Sequence, residues 1–158
     1  MRMYITGASC AGVTTLGQNL ATLLGVRHVD VDDFFWMPTN PPFTTKRPAE
    51  ERVSLIQQKF ADEDWVLSGS CMGWGEALIA PADLIVFVVT PTPIRLERLA
   101  ARETQRFGNR IAPGGDMHEI TCGFSRMGFA VRRSRFFRTQ SSLARSLVIP
   151  AEGAGVAC

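Results

Sequence analysis

Gly7-Ala8-Ser9-Cys10-Ala11-Gly12-Val13-Thr14-Thr15 is the stretch on which the reading of this chain turns. It lies between two patterned segments. Residues 3–6 read as a short buried strand. Residues 14–24 read as a helix, with Leu16, Leu20, Leu23 and Leu24 at helical spacing and Gly25 to close it. Two glycines at this spacing are a weak signal alone: with 14 glycines in 158 residues, such a pair arises by chance about once per chain. Context gives it weight. Glycines between a strand and a helix let backbone N–H groups turn inward, and the helix N-terminus adds partial positive charge, so the turn favours an anion. The plainer alternative is an ordinary strand-to-helix turn.

The spacing matches the phosphate-binding loop G-x-x-x-x-G-K-[ST], except that Val13 takes the lysine position. That lysine normally bridges the outer phosphates, and one charge-assisted hydrogen bond is worth about 1.5–3 kcal/mol, or roughly 10- to 150-fold in affinity. The chain has two lysines, Lys46 and Lys59. Lys46 replaces the missing charge if the segment around it folds over the loop; an arginine-studded helix further along is the other source. Cys10 stands where many kinase loops carry glycine, which predicts a slightly deformed turn.

Outward from the loop, strands and helices alternate, which predicts a parallel sheet covered on both sides. Residues 26–31 read as a second strand ending in the acidic cluster Asp30, Asp32 and Asp33. Residues 34–47, with Pro38, Pro41 and Pro42, read as an irregular stretch, of the kind that is functional or mobile in a compact domain. A helix follows from Pro48 to about residue 61, then a third strand over 65–70 and a glycine-rich turn over 69–75. Residues 84–90 form an unbroken β-branched run, as in a strand buried on both faces. Arg95, Arg98, Arg102 and Arg106 fall on one face of a helix over 94–107; with Glu97 and Glu103 on that helix, a solvated charged face is the alternative.

Composition narrows the function classes. Hydrophobic residues make up 46% and charged residues 20%, as in a globular domain rather than a disordered chain. No apolar run is long enough to cross a bilayer, and the N-terminus enters a strand without a signal-peptide pattern, so a cytoplasmic location is expected. Cys10, Cys71, Cys122 and Cys158 are scattered and read as reduced thiols, not a zinc site.

The chain resembles a bacterial family of small P-loop proteins, adenylate kinase-like or topology-modulation-like, related to shikimate and nucleoside monophosphate kinases. The matching residues are Ile5-Thr6-Gly7-Ala8-Ser9, Thr14-Thr15-Leu16-Gly17, His28-Val29-Asp30-Val31-Asp32-Asp33-Phe34, Pro41-Pro42-Phe43-Thr44-Thr45-Lys46-Arg47-Pro48, Leu67-Ser68-Gly69-Ser70 and Arg110-Ile111-Ala112-Pro113-Gly114-Gly115-Asp116-Met117. In the subfamily it most resembles, threonine often replaces the loop lysine. The resemblance implies an α/β P-loop NTPase fold, three layers (αβα), a parallel sheet of order 2-3-1-4-5 and a small lid over 107–117. It also implies ATP held by residues 7–15 and Mg²⁺ held by Thr14. Asp32 would orient the acceptor, with Asp33, Lys46, Arg47 and Gly69 in the substrate site and Arg106 and Arg110 on the transferred charge. The implied activity is a kinase acting on a small-molecule or nucleotide acceptor. A nucleotide-binding switch or scaffold with little catalysis is the alternative, favoured by Val13 and Cys10.

Residues 1–119 form the expected kinase-like domain; residues 120–158 form an atypical tail. The net charge of +2 conceals this split: 11 Lys and Arg against 14 Asp and Glu before residue 120, and 6 against 1 after it. The tail reads as a frameshift product. Met127-Gly128 requires ATG-GGN, which contains TGG in the next frame, and residues 123–134 can there encode A-F-L-E-W-A-S-R-Y-D-D. Residues 144–148 can likewise encode H-E-A-W-L. Both look like the family's C-terminal helices, so the basic tail makes no case for nucleic-acid binding. The last strand is the doubtful part of the fold, with Leu147-Val148-Ile149 its only substitute.

Overall fold

A computed structural model describes residues 1–40, 42–60, 63–123 and 145–150. The elements are β1 (Arg2–Gly7), α1 (Val13–Leu24), β2 (Arg27–Asp30), α2 (Asp32–Phe35), α3 (Ala49–Phe60), β3 (Trp65–Ser68), α4 (Glu76–Ile79), β4 (Leu84–Val89), α5 (Thr92–Phe107), a 3-10 turn (Gly108–Ile111) and β5 (Arg145–Pro150). Residues 118–123 are also helical. The strands form one sheet in the order β2-β3-β1-β4-β5, and every pair is parallel. This is the topology the sequence led us to expect.

Alternation along the strands builds two cores. Successive side chains point to opposite faces. Tyr4, Val29, Trp65, Leu67 and Ile85 therefore pack with Ile56 and Phe60 of α3 and with Leu78 and Ile79 of α4. Met3, Ile5, Val66, Val86 and Val88 face the other way, onto Ala21, Leu16 and Leu20 of α1. Both faces of the sheet are thus covered, which is why β4 reads as an unbroken apolar run.

Three local departures from the sequence reading have physical causes. β3 ends at Ser68 rather than 70, because Gly69 takes a φ of +119° and turns the chain; a Cβ there would lie 2.7 Å from Val31 Cβ. The described residues that follow α2 fold back on themselves, with Trp36 bridged to Lys46 and the Met37 amide bonded to Thr45 O at 2.9 Å. The glycine-rich turn leads directly into α4, a helix absent from the sequence reading, whose Glu76 accepts from the Gly73 amide at 2.8 Å.

The doubt over the last strand is corrected. Residues 145–150 pair along the whole of β4, from Leu84 opposite Arg145 to Val89 opposite Pro150. Ile149 packs against the α1-side core, while Leu147 and Val148 stay half exposed. The frameshift reading covers residues 120–158; of these, 124–144 and 151–158 lie outside the described residues. Among the described residues, no helix is long and apolar enough to cross a membrane.

Tyr4 joins the two central strands to the turn after β3. Its fully buried hydroxyl donates to Gly69 O at 3.0 Å and accepts from the Cys71 amide at 3.2 Å. Burial pushes the phenol well above its ordinary pKa, so it stays protonated as a donor. Tyr4→Phe leaves both partners unpaired and is expected to lose about 1–3 kcal/mol of unfolding free energy in a urea titration. An unchanged midpoint would mean that these bonds contribute nothing net.

Candidate active site

The carboxyl ends of β1, β2 and β3 open on the same edge of the sheet, where ligands of open α/β sheets sit. At the end of β1 the glycine loop turns into α1. Gly12 caps the helix with a φ of +95° and Cys10 has a φ of 59°, two left-handed residues in a five-residue turn. Left-handed residues within such a turn direct amides toward its concave side. The Ala11 amide closes the turn onto Ala8 O at 3.0 Å, and the first amides of α1 lack partners within the helix, as at any helix start.

The loop is also held from behind. Thr90 Oγ1 donates to Ala11 O at 2.9 Å, and Arg95 Nη1 reaches Ser9 O at 3.4 Å. Arg95 is only 5% exposed and also donates to Thr90 O and Thr92 Oγ1. So the first of the four α5 arginines is a strut beneath the loop. Its burial also shows that the arginine spacing does not mark a uniformly solvated face.

Thr14 and Thr15 are exposed at the start of α1, and Ser9 is exposed in the loop. Val13 points elsewhere: it packs on the α1-side core, with Cγ2 3.0 Å from where a Gly7 Cβ would stand. Among the described residues no group of three His, Cys, Asp or Glu is arranged to hold a metal. The exposed Thr14 hydroxyl is the oxygen that the start of α1 offers to a cation.

Across the crevice, Asp30 Oδ1 accepts from the Asp32 amide at 3.0 Å and sets the start of α2. Asp32 and Asp33 keep solvent access. Even so, protein atoms crowd Asp32, and that desolvation, with the Asp30 charge, raises its carboxyl; Arg102 pulls it down, Asp33 raises it, and Arg106 also pulls it down. Asp33 is raised by desolvation and Asp30, against a lowering by His28. The structure thus brings Asp32 within electrostatic reach of Arg102 and Arg106 without an ion-pair contact. Gly69 ends β3 beside them.

The start of α3 and the residues before it are organised around a side chain the sequence reading passed over. Arg52 is 8% exposed, and its guanidinium lies 4.2 Å from the Phe35 ring centre and 4.7 Å from that of Trp74. Its Nε donates to Arg47 O at 2.6 Å, and it faces no carboxylate among the described residues. A signal existed: Arg52, Ile56 and Phe60 recur every fourth residue on the buried face of α3, and an arginine on an apolar stripe needs a reason. Arg47 donates from Nε to Phe34 O at 3.1 Å and pairs with Glu51 at 2.5 Å, so it ties α2 to α3. Lys46 is exposed, with Nζ 5.9 Å from the Phe35 ring centre.

The lid segment is folded on itself. Arg110, fully exposed, pairs with Asp116 through two bonds, Nε to Oδ1 at 2.9 Å and Nη2 to Oδ2 at 2.6 Å. Arg110 holds the Asp116 carboxyl below its usual range. The fully buried Met117 donates its amide to Arg110 O at 3.1 Å. Phe107 meets Phe43 edge to face at 6.4 Å, so the substrate segment touches the end of α5.

No family model matches the chain. It is 42% identical over 118 residues to the uncharacterized protein YqaC of Bacillus subtilis, a match covering 74% of this chain and 65% of that one. It is 28% identical over 121 residues to the cytidylate kinase of Haloarcula marismortui, covering 68% and 61%. The chain therefore spans somewhat under two thirds of each relative's length. Among solved structures, it is similar to the shikimate kinase of Bacteroides thetaiotaomicron, with a TM-score of 0.57 at 22% identity over 96% of this chain and 86% of that one. The gluconokinase of Sinorhizobium meliloti gives 0.55 at 15% identity, over 96% and 82%. With its parallel five-stranded sheet and these neighbours, the chain has the fold of the P-loop kinases.

Proposed function

We propose that the protein binds ATP at the glycine loop and transfers its γ-phosphoryl group to a small-molecule or nucleotide acceptor. The observation that carries this is the pairing of the glycine loop with the Asp32 carboxylate, within electrostatic reach of Arg102 and Arg106, on one edge of the sheet. Phosphoryl transfer is mostly positioning and electrostatics, so such an edge is what the reaction requires. The acceptor oxygen attacks the γ-phosphorus, the bond to the β–γ bridging oxygen breaks, ADP leaves, and Asp32 takes the acceptor proton. Mg²⁺, held through the Thr14 hydroxyl, neutralises phosphate charge when bound.

The remaining roles follow from placement. Arg106 faces the transferred charge. Arg110 joins it only on release from Asp116. Arg52, Lys46 and Asp33 meet the acceptor; an arginine buried without a carboxylate suits an acceptor that carries an anionic group. Arg47 positions that segment, and Gly69 leaves room beside it. A second reading, a nucleotide-binding switch with little catalysis, is favoured by Val13 turning into the core and by the left-handed Cys10.

Calorimetric titration with ATP and GTP, followed by ADP release across a panel of acceptors, separates the two. Binding with turnover supports the kinase, and binding without turnover supports the switch. Val13→Lys is expected to tighten ATP binding, by at most the roughly 10- to 150-fold that one charge-assisted bond is worth. If affinity and turnover both stay flat, the loop does not hold phosphates in the usual way.

Asp32 yields a pH prediction. The folded protein holds this proton more tightly than the unfolded chain does, so stability falls as pH rises from the unfolded carboxylate range through the raised folded value. Asp32→Asn is therefore expected to melt higher than the parent at about pH 7, with the gap closing below about pH 4. A gap independent of pH would mean that the carboxyl is not raised.

A further inference from the structure

Val13 leaves the loop without its ammonium group, and the structure narrows the choice of replacement. Lys46 is committed to the substrate segment, beside Phe35 and bridged to Trp36. Arg95 is buried behind the loop, donating to its carbonyl side. Arg102 is paired with Glu103, Arg106 lies further along the helix within electrostatic reach of Asp32, and Arg110 is paired with Asp116. Arg98 is different. It is half buried, and a methyl group added at Gly12 would stand 3.9 Å from its Nη1. Among the described residues it makes no hydrogen bond or ion pair. A guanidinium held beside the loop's second glycine, with no carboxylate, is an anion receptor awaiting its anion.

We propose that Arg98 supplies from α5 the phosphate-bridging charge that Val13 removes from α1. This rests on the reading of the glycine loop as an ATP phosphate site. The geometry favours it in two ways. Arg98 lies one helical turn beyond Arg95, whose bonds to Ser9 O, Thr90 O and Thr92 Oγ1 fix the start of α5 against the loop, so Arg98 is positioned by the same strut that shapes the turn. A guanidinium also carries several donors in one plane and can contact two phosphate oxygens at once, which a lone ammonium cannot match in geometry.

The test is a double-mutant cycle read by calorimetry, using ATP and AMP as probes on the full chain. Arg98→Met keeps the aliphatic stem and removes the charge. It is expected to weaken ATP binding about ten- to a hundredfold while changing AMP binding little, because the missing contact is to the outer phosphates. Arg98→Lys is expected to recover most of the loss. In the Val13→Lys background, the penalty for Arg98→Met is expected to shrink to a few-fold, since the two cations then share one task. Arg98→Gln serves in its place if the methionine variant does not fold.

Unchanged ATP binding in the variant overturns the proposal. So does an equal penalty in both backgrounds, or an equal loss for ATP and AMP; the last would mark a structural role. A parent protein that binds no ATP overturns the kinase reading itself, a result none of these outcomes imitates.

Discussion

The bonds from Thr90 Oγ1 to Ala11 O and from Arg95 to Ser9 O are the constraint on which the site depends. A peptide plane has two ends. When the carbonyls of Ser9 and Ala11 are held toward β4 and α5, the neighbouring amides are turned the other way, into the crevice. Without those donors, two carbonyl dipoles would be free to swing toward the position an anion should occupy. The strut is itself anchored: Arg95 is buried, and a buried guanidinium is tolerated because oxygen acceptors surround it. Strand, loop and helix α5 thus form one unit, and a substitution at Thr90 or Arg95 would act on the site without touching a ligand.

From that anchor, α5 runs as a graded rail of positive charge. Arg95 is buried, Arg98 and Arg102 are half buried, and Arg106 is exposed. At about 1.5 Å per residue, Arg98 and Arg106 are separated by about 12 Å along the axis. One end of the rail thus stands beside Gly12 and the other within electrostatic reach of Asp32. Glu103 answers Arg102 from a buried position, Nε to Oε1 at 3.1 Å, and is 4% exposed. One helix therefore serves both halves of the crevice, and the aromatic contact of Phe43 with Phe107 closes the circuit from the substrate segment back to its far end.

The parts that were legible in the sequence are those governed by short-range patterns. The loop, the alternation of strands and helices, and the acidic end of β2 all follow from spacing and composition within a few residues. Parallel strands buried on both faces announce themselves as apolar runs, and β4 is the clearest. What was not legible depends on partners distant in the chain. The periodicity of Arg95, Arg98, Arg102 and Arg106 gives a common face but not which member sinks under the loop, because that depends on Ser9 O, some 86 positions away. Arg52 was hidden for a similar reason: its neighbours Phe35 and Trp74 come from two other segments. The bridge between Trp36 and Lys46 was hidden by the prolines between them, which locally argue against any pairing.

Val13 shows how the core and the site compete for one position. As valine, it contributes an apolar contact against the α1-side cluster, worth up to about 1.5 kcal/mol for a well-buried side chain. As lysine, it would contribute a charge-assisted bond of about 1.5–3 kcal/mol to a phosphate, but only while a nucleotide is bound. The first gain is present in every folded molecule; the second exists only in the complex. A chain that keeps the valine therefore favours resting stability over affinity, unless the charge arrives from elsewhere. A cation on α5 escapes the conflict, because its position on the helix is fixed by Arg95 and costs the α1-side core nothing.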